Sequence, residues 1–188
     1  MKKNNTFKQG TIKYIIGLAV CFLIRLLPFR PANMEPIMTT TLPFSKKWGW
    51  AAGALFGMLS IVLFDLIHPT PGFPRFGIWT LVTAVLYGLV GVAAGLYLKK
   101  REGTILRYTG FAVIATLVYD FLTGPIMSSM IFNMPFSTAL IGQIPFTLMH
   151  LLGNVIGAAI ISPLLYRWVV DNRRLDTNAL FASPAVRS

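Results

Sequence analysis

The sequence predicts an all-α integral membrane protein with six transmembrane helices, the second of them short, and with both termini cytoplasmic. Three observations predict it. The 188-residue chain is 55% hydrophobic and 12% charged, with a mean hydropathy of +0.65, where a soluble domain carries about 25% charged residues. Five segments are apolar over roughly the 20 residues that a crossing requires. The basic residues fall in clusters between those segments, which is how multi-pass topology is written.

Residues 11–28 form the first segment. Lys2, Lys3, Lys8 and Lys13 precede or open it, as in a secretory signal, but it ends at Arg25 without a small-x-small cleavage site, so it reads as a retained helix. Segment 35–45, EPIMTTTLPFS, is the awkward one. As a helix it reaches only about 17 Å against a hydrocarbon core of about 30 Å, so it is either a short, protein-buried crossing or a re-entrant piece. Segments 48–67, 77–98 and 104–127 are ordinary spans, and 137–167 is long enough to project beyond the membrane. This divides the chain into a cytoplasmic tail (1–10), a membrane domain (11–168) and a second cytoplasmic tail (169–188).

Charge placement chooses between the two readings of 35–45. With a crossing there, the N-terminal lysines, Lys46 and Lys47, the run Lys99-Lys100-Arg101, and Arg167, Arg173 and Arg174 all lie on one face, which is then cytoplasmic. Without it, the second and third clusters leave that face. The outer connections are 29–34, 68–76 and 128–136, with Arg30 and Arg75 as their basic residues. Glu35, Asp65 and Asp120 sit at outer ends of spans, while Glu102, Asp171 and Asp176 lie among cytoplasmic basic residues as solvated surface.

The net charge of +11 would suggest nucleic acid in a soluble protein. Here its placement assigns it to topology, so the expected partner is the lipid bilayer and no nucleic acid. Cys21 is the single cysteine, which rules out an intrachain disulfide and a Cys/His zinc pattern. No P-loop, H-E-x-x-H, G-x-S-x-G or G-x-G-x-x-G motif occurs, and His68 and His150 have no ligand spacing. The chain is therefore not expected to be an enzyme or to carry a metal or cofactor.

Within the spans, small residues recur at four-residue spacing: Gly49, Gly53 and Gly57; Gly91 and Gly95; Gly153 and Gly157; Gly17 and Cys21. Such faces let backbones approach closely, inside the bundle or against another membrane protein. Gln143, Thr147, His150 and Asn154 form a polar stripe on the last span, and Thr116, Asp120 and Thr123 another on the fifth. Polar groups are costly against lipid, so both stripes should face the interior or a wet cavity. Asp120 is either functional or paired with Arg25 or Arg30. In the first outer loop, Arg30, Asn33 and Glu35 lie between stiffening prolines, where Glu35 either favours a helix dipole or meets a solute. In the next, Phe73, Phe76 and Trp79 either anchor the interface or stack on a flat ligand.

Three stretches carry a resemblance: Arg30-Pro31-Ala32-Asn33-Met34-Glu35-Pro36-Ile37-Met38 with Pro43-Phe44-Ser45-Lys46, Tyr119-Asp120-Phe121-Leu122-Thr123-Gly124-Pro125, and Pro145-Phe146-Thr147-Leu148-Met149-His150-Leu151-Leu152-Gly153-Asn154. With the span count, they resemble a subgroup of the substrate-binding S components of energy-coupling-factor (ECF) transporters over about residues 10–168. The resemblance implies a cell-membrane subunit that binds a vitamin or other micronutrient from outside. It implies partners too, a membrane coupling (T) protein and two cytoplasmic ATPases, and a toppling motion that delivers the solute. The family docks through Ala-x-x-x-Ala on the first span; Gly17-x-x-x-Cys21 keeps the small size but not the alanines.

The expected solute site comprises Asn33, Glu35, Asp65, Trp79, Asp120, Thr123, Gln143, Thr147, His150 and Asn154. Asp120→Asn or His150→Ala should then weaken binding with folding largely intact. Two other classes remain open: a proton-coupled secondary carrier working through Asp120 or His150, and a non-transporting membrane scaffold.

Overall fold

The computed structural model describes residues 6–28, 35–68 and 76–180. Asn33, Arg30, Phe73 and Arg75 lie outside the described residues. The described chain is helical: α1 (Thr6–Arg25), α2 (Pro36–Trp48), α3 (Trp50–Ile67), α4 (Ile78–Leu98), α5 (Ile105–Phe132), α6 (Phe136–Val170) and a short α7 (Thr177–Leu180). Helices α3 to α6 are long and apolar enough to cross a membrane. Their outward surfaces are hydrophobic, with Leu106 81% and Leu96 68% exposed. Contiguous apolar surface of this kind is stable against lipid and not against water, and the chain is a multi-pass α-helical membrane protein.

The short segment is the centre of the bundle. Every residue of α2 from Ile37 to Lys46 is buried, and α2 packs against α1, α3, α4 and α6. Pro36 at its first turn sacrifices only an amide that has no intrahelical partner there. Two of its hydroxyls are satisfied locally: Thr40 donates to the Pro36 carbonyl (2.8 Å) and Ser45 to that of Thr41 (2.8 Å). Aromatic packing surrounds its lower half, with Phe44 stacked on Phe56 (centroids 4.7 Å apart) and edge-on to Tyr14 (5.5 Å). A single residue, Gly49, turns α2 into α3 at φ +90°, where a side chain would be strained.

Helices α3 and α4 meet along a glycine seam. A methyl group on Gly53 would collide with the Gly91 carbonyl, one on Gly57 with the Tyr87 carbonyl, and one on Gly95 with the backbone of Trp50. Those glycines therefore serve packing inside the bundle. Gly17 and Cys21, the residues expected to dock a partner, also face the bundle. Cys21 is fully buried and Gly17 lies against the Phe44 ring, whereas the outward face of α1 carries Ile15, Ile16, Val20 and Leu23. Four-residue spacing fixes a common face but not which way that face points.

Prolines reshape α5 and α6. A π-turn at Leu122–Ile126 contains Pro125, and a second at Gly157–Ile161 lies just before Pro163. Proline removes an amide from the ladder and displaces its ring from the preceding turn, which a wider turn accommodates. Because α5 continues to Phe132, the connection expected at 128–136 shrinks to three residues, with Asn133 left-handed (φ 52°) as the helix stop.

The basic clusters meet at one end. Lys13, 3% exposed, donates to the carbonyls of Val170 (3.2 Å) and Asn172 (2.7 Å) and pairs with Asp176 (2.6 Å). Lys46 donates to the Leu98 carbonyl at 3.5 Å and to that of Arg101, while Lys47 pairs with Asp171 at 2.5 Å. Lys13 and Lys46 thus cap the C-terminal ends of α6 and α4, where carbonyls lack intrahelical donors.

Candidate functional site

At the opposite end the helix termini diverge and leave a cavity of about 500 Å³, within the range of small-molecule sites, roughly 300–1,000 Å³. Arg25 and Glu35 bring the end of α1 to the start of α2. Arg25 Nε donates to Glu35 Oε2 (2.8 Å), Nη1 donates to the Ser60 carbonyl (2.6 Å), and the guanidinium lies 3.8 Å from the Phe64 ring centroid. Arg25 is thus held on three sides, and its partner is Glu35 rather than Asp120. Asp65, near the end of α3, accepts from the Thr80 hydroxyl at 2.7 Å. His68 and Trp79 complete that rim.

The floor is built by α4, α5 and α6. Tyr87 and Tyr119 stand with ring centroids 4.5 Å apart, and Tyr119 and Phe146 each meet the His150 ring edge-on, at 5.9 and 5.8 Å. His150 is 2% exposed; its Nδ1 lies 2.7 Å from Asp120 Oδ1 and its Nε2 3.4 Å from the Tyr87 hydroxyl. With Asp120 ionised and the imidazole neutral, Nδ1 donates to Asp120 and the Tyr87 hydroxyl donates to Nε2. Asp120 is 1% exposed, and its Oδ2 has no hydrogen-bond partner among the described residues. The burial of this pair ties it to stability as well as to any binding role, so folding is not indifferent to substitutions there.

Of the expected site residues, Glu35, Asp65, Trp79, Thr123 and His150 line the cavity and Asp120 stands directly behind His150. The rest of the stripe goes elsewhere. Asn154 donates to Thr116 (2.8 Å), deeper between α5 and α6, and Gln143 donates to Thr147 (3.2 Å) while its side chain lies against Gly124. The lining residues not anticipated from sequence include Arg25, Thr83, Tyr87, Tyr119 and Phe146. Thr80, Thr83 and Tyr87 share one face of α4, a polar stripe in an apolar helix that points inward.

A second, apolar groove of about 270 Å³ lies between α4 and α5, and Tyr119 forms part of both walls. Among the described residues no cluster of three or more His, Cys, Asp or Glu is arranged to hold a metal ion. Fold and site together define a multi-pass helical membrane protein with a polar, aromatic-walled cavity at one end. No protein-family model, curated protein or solved structure matches the chain.

Proposed function

We propose that this chain is the solute-binding membrane subunit of an ECF-type importer for a vitamin-like micronutrient, with ATP hydrolysed by separate partners. The reading takes six crossings, α1 to α6, with the lysine-capped end cytoplasmic and the cavity facing outward. The observation that carries it is the cavity itself. It is of small-molecule size, it mixes aromatic walls with Glu35, Asp65 and His150, and it lies at the end away from the basic clusters. A T protein and two ATPases are the partners this requires, and with Gly17 and Cys21 turned inward, the apolar outward face of α1 is the docking surface we propose.

Mass spectrometry of small molecules extracted from gently purified protein tests the reading. One stoichiometric vitamin-like compound, diminished in Asp120→Asn, supports it; a reproducibly empty protein that also fails to bind any micronutrient saturably overturns it. The Asp120–His150 pair favours a second reading, a proton-coupled carrier. That reading requires solute uptake by the chain alone, abolished by dissipating the proton gradient and indifferent to ATP.

A further inference from the structure

We infer that the solute is a small aromatic cation, bound with its charge toward Asp65 and its ring among Trp79, Tyr87, Tyr119 and Phe146; this rests on the solute-binding reading above. Three observations carry it.

The first is charge. The whole chain carries +11, yet the described residues in and directly behind the cavity give one guanidinium, Arg25, against three carboxylates, Glu35, Asp65 and Asp120. With both histidines neutral that is a formal charge of −2 for the described residues around this cavity.

The second is which charges are already matched. Arg25 is engaged by Glu35, the Ser60 carbonyl and the Phe64 ring, so its charge is already matched by a carboxylate. Asp120 faces the Nδ1 proton of His150. Asp65 differs. Its one hydrogen bond is from the neutral Thr80 hydroxyl, and among the described residues it has no basic partner. A carboxylate at the mouth of a low-dielectric cavity gains most from an incoming cation, because each pairs with a charge that is otherwise incompletely solvated.

The third is the wall. Trp79 on α4 and Phe146 on α6 line the cavity, as do Tyr87 and Tyr119, which pack together. Aromatic faces are negative, attract cations, and stack on planar rings. An anionic solute would meet repulsion from Asp65, and Arg25, the guanidinium among the described lining residues, is already paired with Glu35.

The test is equilibrium binding to the purified full chain, read by quenching of tryptophan fluorescence and by isothermal titration. The probes are graded by charge: thiamine and N-methylnicotinamide (cations), riboflavin and nicotinamide (neutral), biotin and nicotinate (anions). Saturable binding confined to the cations, and weakened about tenfold to a hundredfold in Asp65→Asn, supports the inference. Asn at this position keeps an acceptor for Thr80 and removes only the charge, and an unchanged melting temperature shows that the fold is intact. Equal affinity of Asp65→Asn for the cation would refute the role of Asp65. Saturable binding of a neutral or anionic probe instead would refute the charge class while leaving the solute-binding reading standing. No saturable binding of any probe, in protein that is also empty by mass spectrometry, would overturn both.

Discussion

Replacing His150 by alanine leaves Asp120 with neither carboxylate oxygen partnered, because Oδ2 already has none and Oδ1 depends on the imidazole. Both residues are at most 2% exposed, so water does not readily compensate. Leaving a buried carboxylate without its partner costs about 3–5 kcal/mol when it stays charged, and about 1–3 kcal/mol when it takes up a proton and is merely unsatisfied. Asp120→Ala removes the acceptor for Nδ1 and should cost about 1–3 kcal/mol. The double variant removes the penalty common to both, so it should be less destabilised than the sum by about 1.5–3 kcal/mol, the worth of a hydrogen bond to a charged group. Equilibrium unfolding in mixed micelles, followed by tryptophan fluorescence, measures all three variants. Additivity within about 0.5 kcal/mol would refute the pairing and the floor built on it.

Three further outcomes follow. Gly53→Val should abolish folding or lower stability by at least about 2 kcal/mol, since its Cβ meets the Gly91 carbonyl, whereas Gly110→Ala and Gly142→Ala, which meet nothing within 4 Å, should each gain about 0.5–1 kcal/mol; thermal melts in detergent distinguish them. Lys13→Ala removes hydrogen bonds to two carbonyls and a contact with Asp176 at a buried position and should cost about 1–3 kcal/mol, while Lys47→Ala breaks a partly exposed pair worth at most about 1 kcal/mol; equal losses would contradict the capping account. Arg25→Lys keeps the charge but not the planar fork that reaches Glu35, the Ser60 carbonyl and the Phe64 face together, so the melting temperature should fall by several degrees and the rim should become more accessible to hydrogen exchange.

Much of the helix order was legible because lipid imposes long apolar runs, and α3 to α6 appear close to where those runs lie. The centrality of α2 was not. Its threonines and prolines read as a weak segment, and burial on all sides is a property of its neighbours. The candidate site was legible where a polar residue interrupts an apolar helix, as Asp120 and His150 do. Arg25 could not be distinguished from a topology-setting flank, because its role depends on Glu35, Ser60 and Phe64 arriving from other elements. The polar stripe of α6 was one face in sequence but divides in space, since Gln143 and Asn154 find partners at different depths.

The burial of α2 has a consequence for biosynthesis. Its 13 residues include three threonines and two lysines, too short and too polar to leave the translocon for lipid unaided. Protein, not lipid, is its solvent, and most of that solvent is synthesised after it: α3, α4 and α6 all follow. The one-residue hinge at Gly49 couples α2 to α3 as a hairpin, so the apolar partner can carry the polar one in. The native orientation of this chain is then completed late, after the ribosome has made the helix that closes over its centre, and quality control would meet an exposed, threonine-rich α2 as the mark of an unfinished molecule.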